Sequence, residues 1–245
     1  MSAIRLYQFA PDHGLESASS FCVKVQRALR LKGLAYEVTN VSPPDIPKLN
    51  PEAKKLPVLE IDGRRLIDST RILEVIDQLS PEPSLYPESP EARALDHLLE
   101  DWADESLYWF TVHQRWVVDA HFEAFAEGAF GRMPAPLKWL VPPIARRTAK
   151  VQVRKQGLGR LSNEQVLKNL DEHLAALDAR VSGGGFLVDD HIRASDIAVF
   201  APLRSMLVPY MEAPCDLIHG HGSIVAWMRR IDDVTRPEKS EAVTA

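Results

Sequence analysis

The sequence predicts an α/β domain, built on a mixed four-stranded sheet, followed by an all-α domain. Three observations carry that expectation. The first eighty residues alternate short β-rich runs with helical periodicity in the order β-α-β-loop-β-β-α. A stretch crowded with prolines then interrupts the chain at Pro81, Pro83, Pro87 and Pro90. From Glu91 onward the apolar spacing is helical.

Ile4–Phe9 alternates, with Ile4, Leu6 and Gln8 on one side and Arg5, Tyr7 and Phe9 on the other. Residues 11–14 (Pro-Asp-His-Gly) break that strand. A helix follows, with Ser17, Ser19 and Ser20 as candidate caps and Phe21, Cys22, Val25, Ala28 and Leu29 at helical spacing. Gly33 ends it, and residues 35–41 form a second strand. Pro43, Pro44, Pro47 and Pro51 mark a loop over residues 42–51. Strands at 58–61 and 65–67 flank Asp62-Gly63, the strongest short hairpin signal in the chain. Asp68 or Ser69 caps the next helix, which carries Ile72, Leu73, Ile76 and Leu79. This order, an antiparallel hairpin added to a parallel pair, is that of a thioredoxin-like domain over residues 1–80. Residues 81–90 read as a linker, 91–233 as the helical domain and 234–245 as a loose polar tail.

In the second domain Leu95, Leu98, Leu99, Trp102, Trp109, His113 and Trp116 repeat along one long helix. Residues 128–143 read as an apolar lobe that covers something, and Pro134, Pro136, Pro142 and Pro143 speak against a long amphipathic helix there. Residues 146–155 are strongly basic. Ser162 and Gln165 form a capping box before Val166, Leu170, Leu174 and Leu177, and residues 183–185 (three glycines) close that region. Ser195-Asp196 precedes an apolar helix at 197–207, and Ile224, Val225, Trp227, Met228 and Ile231 mark the last one.

Composition narrows the function. At 45% hydrophobic and 26% charged residues, the chain is an ordinary globular protein with a sizeable core. A formal net charge of -5 argues against a nucleic-acid partner. No run of about 18 apolar residues is present to span a membrane, and membrane association is not expected. Residues 1–5 run straight into a strand pattern without the features of a signal peptide. Cys22 and Cys215 lie far apart, which fits a reducing, cytoplasmic location. His219-Gly220-His221 is the nearest approach to metal-ligand spacing, and no metal is expected.

Ser19-Ser20-Phe21-Cys22-Val23-Lys24-Val25, Asn50-Pro51, Lys55-Leu56-Pro57-Val58-Leu59-Glu60 and Asp68-Ser69-Thr70-Arg71-Ile72 resemble the cytosolic-type glutathione transferases, as do the proline linker and the helical second half. The first helix, with residues 139–147 and 156–160, is similar to the metaxin and failed-axon-connections branch of that superfamily. The resemblance implies a glutathione transferase that uses glutathione as co-substrate against an apolar electrophile, in a homodimer. It implies that Ser19 is the thiolate stabiliser. A free thiol has a pKa of roughly 8.5, and a hydroxyl donor at a helix N-terminus favours its thiolate. Ser20 stands where the family has proline, so Ser17 and Ser20 compete for the role. Cys22 is either a glutaredoxin-like nucleophile, which would make the chain a thiol oxidoreductase, or a small core residue. Tyr7 could stand in for the tyrosine of other classes.

The resemblance also implies a cis Leu56-Pro57 bond, with the Leu56 backbone open to a peptide ligand. Asp68 and Ser69 would meet the γ-glutamyl ammonium and carboxylate, the latter at a helix start. Lys55, or Lys54 beside it, would meet the glycyl carboxylate. Tyr108, Trp109, His113 and Trp116 would line the second-substrate pocket. The family's helical-domain cap pattern reads here as Arg193-Ala194-Ser195-Asp196, with Arg193 in the cap position. A non-catalytic, metaxin-like glutathione-binding or membrane-associated module stands as a further alternative, which the apolar lobe at 128–143 beside the basic residues 146–155 would support.

Overall fold

The computed structural model describes residues 3–131 and 133–236. Strands β1 (Ile4–Gln8), β2 (Glu37–Asn40), β3 (Val58–Ile61) and β4 (Arg64–Ile67) form one sheet in the order β2-β1-β3-β4. β1 runs parallel to β2 and antiparallel to β3, and β3 pairs with β4 through the Asp62-Gly63 turn. Both turn residues have positive φ, 49° and 82°, as a two-residue hairpin turn requires. Helix α1 (Ser20–Leu31) crosses between β1 and β2, and Gly33 at φ 62° ends the turn after it. The proline loop is not wholly irregular: a 3-10 turn at Pro43–Asp45 leads into α2 (Ile46–Leu49), with Pro47 in the first turn, where it gives up no helical hydrogen bond. Helix α3 (Ser69–Leu79) completes the domain.

The linker is strapped rather than loose. Leu85 is fully buried, its N–H donates to Asp77 Oδ1 at 2.7 Å, and its carbonyl accepts from Ala194 N–H at 2.8 Å. Helices α4 (Pro90–Trp102) and α5 (Tyr108–Trp116) are joined by a π-helical turn at Ala103–Leu107, which interrupts the single helix expected from the spacing. Leu95 and Leu98 of that expected stripe face solvent, Leu98 at 65% exposure. Helices α6 (Asp119–Phe130), α7 (Leu137–Gln156), α8 (Asn163–Val181), α9 (Ala194–Met206), α10 (Glu212–Gly220) and α11 (Gly222–Thr235) follow.

α7 overturns the expectation that prolines exclude a long helix at residues 134–143. Pro142 and Pro143 sit inside it, and the ladder continues past them to Gln156. The lobe covers less than expected, because Trp139 and Leu140 point outward at 69% and 55% exposure. α11 runs two residues beyond Asp233 and buries Thr235, while residues 237–245 of the expected tail lie outside those described. The Ser162 capping box is formed in both directions, at 3.2 and 3.0 Å.

Helix α9 threads the core of the second domain and touches the first. Its start is fixed by carboxylates: Ser195 N–H donates to Asp96, and Asp196 accepts from the Leu187 and Arg193 N–H groups and from Trp227 Nε1. Asp196 therefore does the work expected of a side chain at position 193. Arg193 instead grips Asp189 and the Ser84 carbonyl of the linker. Ala194 and Ile197 pack into the same apolar cluster as Ile4, Leu6, Val25 and Leu73.

Candidate functional site

α1 begins at Ser20 with Ser19 in extended conformation as its cap residue, and the Ser19 hydroxyl makes no capping bond. The neighbouring serines are committed or covered. Ser17 is fully buried and donates to the Phe9 carbonyl at 2.9 Å while accepting from Ser19 N–H at 3.3 Å. Ser20 is buried. Ser19 is half-buried, at the end of α1 where the unpaired N–H groups point.

Cys22 sits one turn further and is fully buried. Burial pushes its thiol up to about 11, against opposing hydrogen bonds from the Phe9 backbone, Ser19 and Ser17. Tyr7 turns away from this end of the helix: its hydroxyl reaches Glu60 at 3.4 Å and Arg65 lies over its ring.

A cavity of about 800 Å³ opens beside Phe21, between the first domain and α4. Lys55, Pro57, Asp68 and Ser69 line it from the first domain, and His97, Glu100 and Asp104 from the second. Leu56-Pro57 is cis, and Leu56 is buried just before β3. Among the described residues, no backbone hydrogen bond outside the strand ladders closes on Leu56. Asp68, at φ 75°, caps α3 by accepting from the N–H groups of Thr70 and Arg71 at 3.0 and 3.2 Å. Ser69 is the first residue of the helix, so its own N–H is one of the orphan donors at the N-terminus. A carboxylate is the ligand group such a terminus favours.

Behind the cavity lies a charge cluster that sequence reasoning missed. Lys24, only 1% exposed, points from α1 to Asp104 Oδ2 at 2.7 Å and Glu100 Oε1 at 2.8 Å. Thr70, beside Ser69, donates to Glu100 at 3.0 Å. Burial works against the Lys24 ammonium, but Asp104 and Glu100 outweigh it and hold its pKa above the ordinary value. Asp104 in turn is shifted upward by its burial, with Lys24 opposing. The short Lys24–Asp104 and Lys24–Glu100 distances are those of a paired, ionised cluster. The signal in the sequence was the four-residue spacing of Glu100 and Asp104, which puts two carboxylates on one helix face.

The four aromatic-helix candidates separate. Tyr108 lies tilted against Phe21, which lines the cavity, with ring centroids 4.6 Å apart, and Trp109 lies edge-on to Tyr108 at 5.5 Å. His113 is 1% exposed, and burial lowers its pKa to about 4, so the ring is neutral. Trp116 packs into a separate aromatic cluster against Phe122, Phe125 and Phe130. His219 turns to Cys215 and His221 to Asp171, and no group of three metal-ligating side chains is found among the described residues.

The fold and the cavity define a two-domain protein that presents a helix N-terminus, a cis-proline edge and a second helix N-terminus to one opening. The glutathione S-transferase N-terminal domain model matches residues 17–84, and the C-terminal domain model matches residues 154–230. The chain belongs to the glutathione S-transferase family. It is 37% identical over 95 residues to glutathione S-transferase U3 of Arabidopsis thaliana, covering 37% of this chain and 42% of that one. The chain therefore matches less than half the length of that relative. Over 208 residues it is 25% identical to the isoprene-epoxide glutathione S-transferase of Rhodococcus sp. (strain AD45), covering 82% and 85% of the two chains. A rice glutathione S-transferase solved with glutathione shares its fold, with a TM-score of 0.66, 20% identity and coverage of 96% and 89%.

Proposed function

We propose that this chain is a glutathione transferase that conjugates the glutathione thiolate to an apolar electrophile. The observation that carries the reading is Ser19: a half-buried hydroxyl at a helix N-terminus, not used as a cap, two residues before Phe21, which lines the cavity. The Leu56 backbone takes the cysteinyl peptide of glutathione as an added strand. Ser69 holds the γ-glutamyl carboxylate, Asp68 the adjacent ammonium and Lys55 the glycyl carboxylate. The thiol loses its proton to solvent, and Ser19 donates to the thiolate. The sulfur lone pair then forms the new bond to the electrophilic carbon, and the leaving atom takes the displaced pair. Tyr108 and Trp109 border the space for that electrophile. The gain comes from thiolate population and proximity, with no protein nucleophile.

The cysteine-based oxidoreductase reading loses ground on Cys22, which is buried and held protonated. A homodimer is supported by exposed Leu95 and Leu98 on α4. A cytoplasmic location is supported by the two free cysteines. Placement near the metaxin-like branch rests on the first-helix residues and on residues 139–147 and 156–160 alone.

Immobilised glutathione should retain the protein. A hydrogen bond to a charged group contributes about 1.5–3 kcal/mol. Ser19→Ala should therefore lower kcat/KM toward an aryl halide by roughly ten- to a hundredfold and move the pH profile up toward the free thiol. Unchanged kcat/KM in Ser19→Ala would sink the assignment.

A further inference from the structure

α7 carries a surface that glutathione binding does not use. Its inner side packs Val141 and Ala145 against Phe122, Phe125 and Phe130, and buries Ala149 and Val153. Arg146 belongs to that inner side. It donates to the Trp116 and Val117 carbonyls and to Asp119, and stacks over Phe122.

Over its first two turns the outer side is mostly apolar, where a solvent-facing helix is ordinarily polar. Leu137, Trp139, Leu140 and Ile144 are 41%, 69%, 55% and 65% exposed. Leu140, Ile144, Arg147 and Val151 follow one another at three- and four-residue spacing and form a single ridge. Exposed cations stand on the same helix, with Arg147 inside the ridge, Arg154 and Lys155 beside its C-terminal end, and Lys138 and Lys150 further round. The sequence contains no Asp or Glu between Glu127 and Glu164, in a chain whose net charge is -5. The positive charge is thus concentrated where the apolar side chains protrude.

We propose that this face docks on an anionic lipid surface. α7 would lie in the headgroup plane, with Trp139, Leu140 and Ile144 entering the acyl boundary and Arg147 and Arg154 meeting lipid phosphates. No helix among the described residues is long and apolar enough to cross a membrane, so the contact is interfacial. Charge complementarity selects this occupant over a second copy of the chain, since a two-fold contact would set the same cations against each other. Protrusion selects it over an acidic protein. Side chains exposed this far stand out from the surface, which suits a deformable apolar phase rather than a shape-matched partner. The inference stands independently of the glutathione reading.

Co-sedimentation of the full chain with vesicles tests it. The protein should pellet with phosphatidylcholine/phosphatidylserine vesicles, stay in solution with phosphatidylcholine alone, and be released by salt. Trp139→Ser/Ile144→Ser should lower the partition coefficient by about tenfold or more. Arg147→Glu/Arg154→Glu should do so by a similar factor. These side chains are exposed, and an unchanged far-UV circular dichroism spectrum and Tm report that each variant is folded. A vesicle-induced blue shift in tryptophan emission should appear in the wild type and vanish in Trp139→Phe, which keeps the apolar ring. Failure of the wild type to bind phosphatidylserine vesicles at low salt overturns the proposal. So does binding that Trp139→Ser/Ile144→Ser leaves intact. A third contrary outcome is self-association, without vesicle binding, that those substitutions abolish. The last is equal, tryptophan-independent binding to soluble polyglutamate.

Discussion

The Lys24 ammonium lies 2.7 Å from Asp104, which fastens α1 to the turn that joins α4 and α5. Glu100 and Thr70 share the contact, so the start of α3 is held by the same group. The two helix N-termini that flank the cavity are thereby fixed relative to each other through one buried cation. Lys24→Met leaves two carboxylates facing each other without compensation. Breaking a buried pair in this way costs about 3–5 kcal/mol. Urea denaturation should show a loss of that size, and Lys24→Met with Glu100→Gln and Asp104→Asn should recover much of it. A Lys24→Met variant as stable as the wild type would mean that the cluster is not ionised.

Asp68 has two duties that substitution can separate. Its carboxylate caps α3, and its φ of 75° suits Asp, Asn or Gly. Asp68→Asn keeps an acceptor for Thr70 and Arg71 and should leave stability within about 0.5 kcal/mol. It removes the charge proposed for the glutathione ammonium and should raise KM for glutathione roughly fivefold, as expected for about 1 kcal/mol. Asp68→Ala loses the cap as well and should destabilise by about 1–2 kcal/mol. Equal KM in the wild type and Asp68→Asn removes Asp68 from ammonium recognition.

Cys22 is expected to be chemically quiet. With its pKa at about 11 and no exposed surface, the native protein should react with iodoacetamide at Cys215 well before Cys22. Cys22→Ala should retain transferase kinetics, with a stability loss of about 1 kcal/mol from the space left in the core. Rapid alkylation of Cys22 in folded protein would revive the oxidoreductase reading.

His113 predicts an acid-sensitive window. Its pKa falls from 6.5 to about 4 on folding, because burial disfavours the charged ring. The unfolded chain binds the proton first, so stability present above 6.5 is lost as pH falls toward 4. Burial lowers the pKa values of His121 and His173 too, so both act in the same direction. Asp196 pulls the other way. Burial raises its pKa from 3.8 to about 6, so its contribution is fully present below 3.8 and fades as pH rises through 6. Tm measured across this range should fall less steeply in His113→Gln than in the wild type. Parallel curves would show that His113 is protonated without cost.

The hairpin and the caps were legible in the sequence because they are decided locally. Asp62-Gly63 needs only positive φ, and Ser162 with Gln165 needs only its own first turn. The helix start at Asp68-Ser69 was readable for the same reason. What was not readable depends on distant partners. Nothing around Lys24 announces a carboxylate pair eighty residues away. Spacing alone did not distinguish Leu98, which faces solvent, from Leu107, which is buried, since each has apolar neighbours at helical distance. The prolines at 142 and 143 remove only two N–H donors, and the helix spans them because its ladder continues uninterrupted beyond, to Gln156. Among the serines, chemistry of the residue type did not separate Ser17 from Ser19; burial and the Phe9 carbonyl did.

The shared packing of Ala194 and Ile197 with Leu6 and Leu73 has a consequence for how the molecule comes apart. The proline-rich boundary is a boundary in sequence and not in cooperativity. Residues 1–80 expressed alone would expose the apolar surface that α9 covers, and would lose the Asp232 partner of Arg27. Thermal melting of the whole chain should then proceed as one transition, with secondary structure and tryptophan emission changing together.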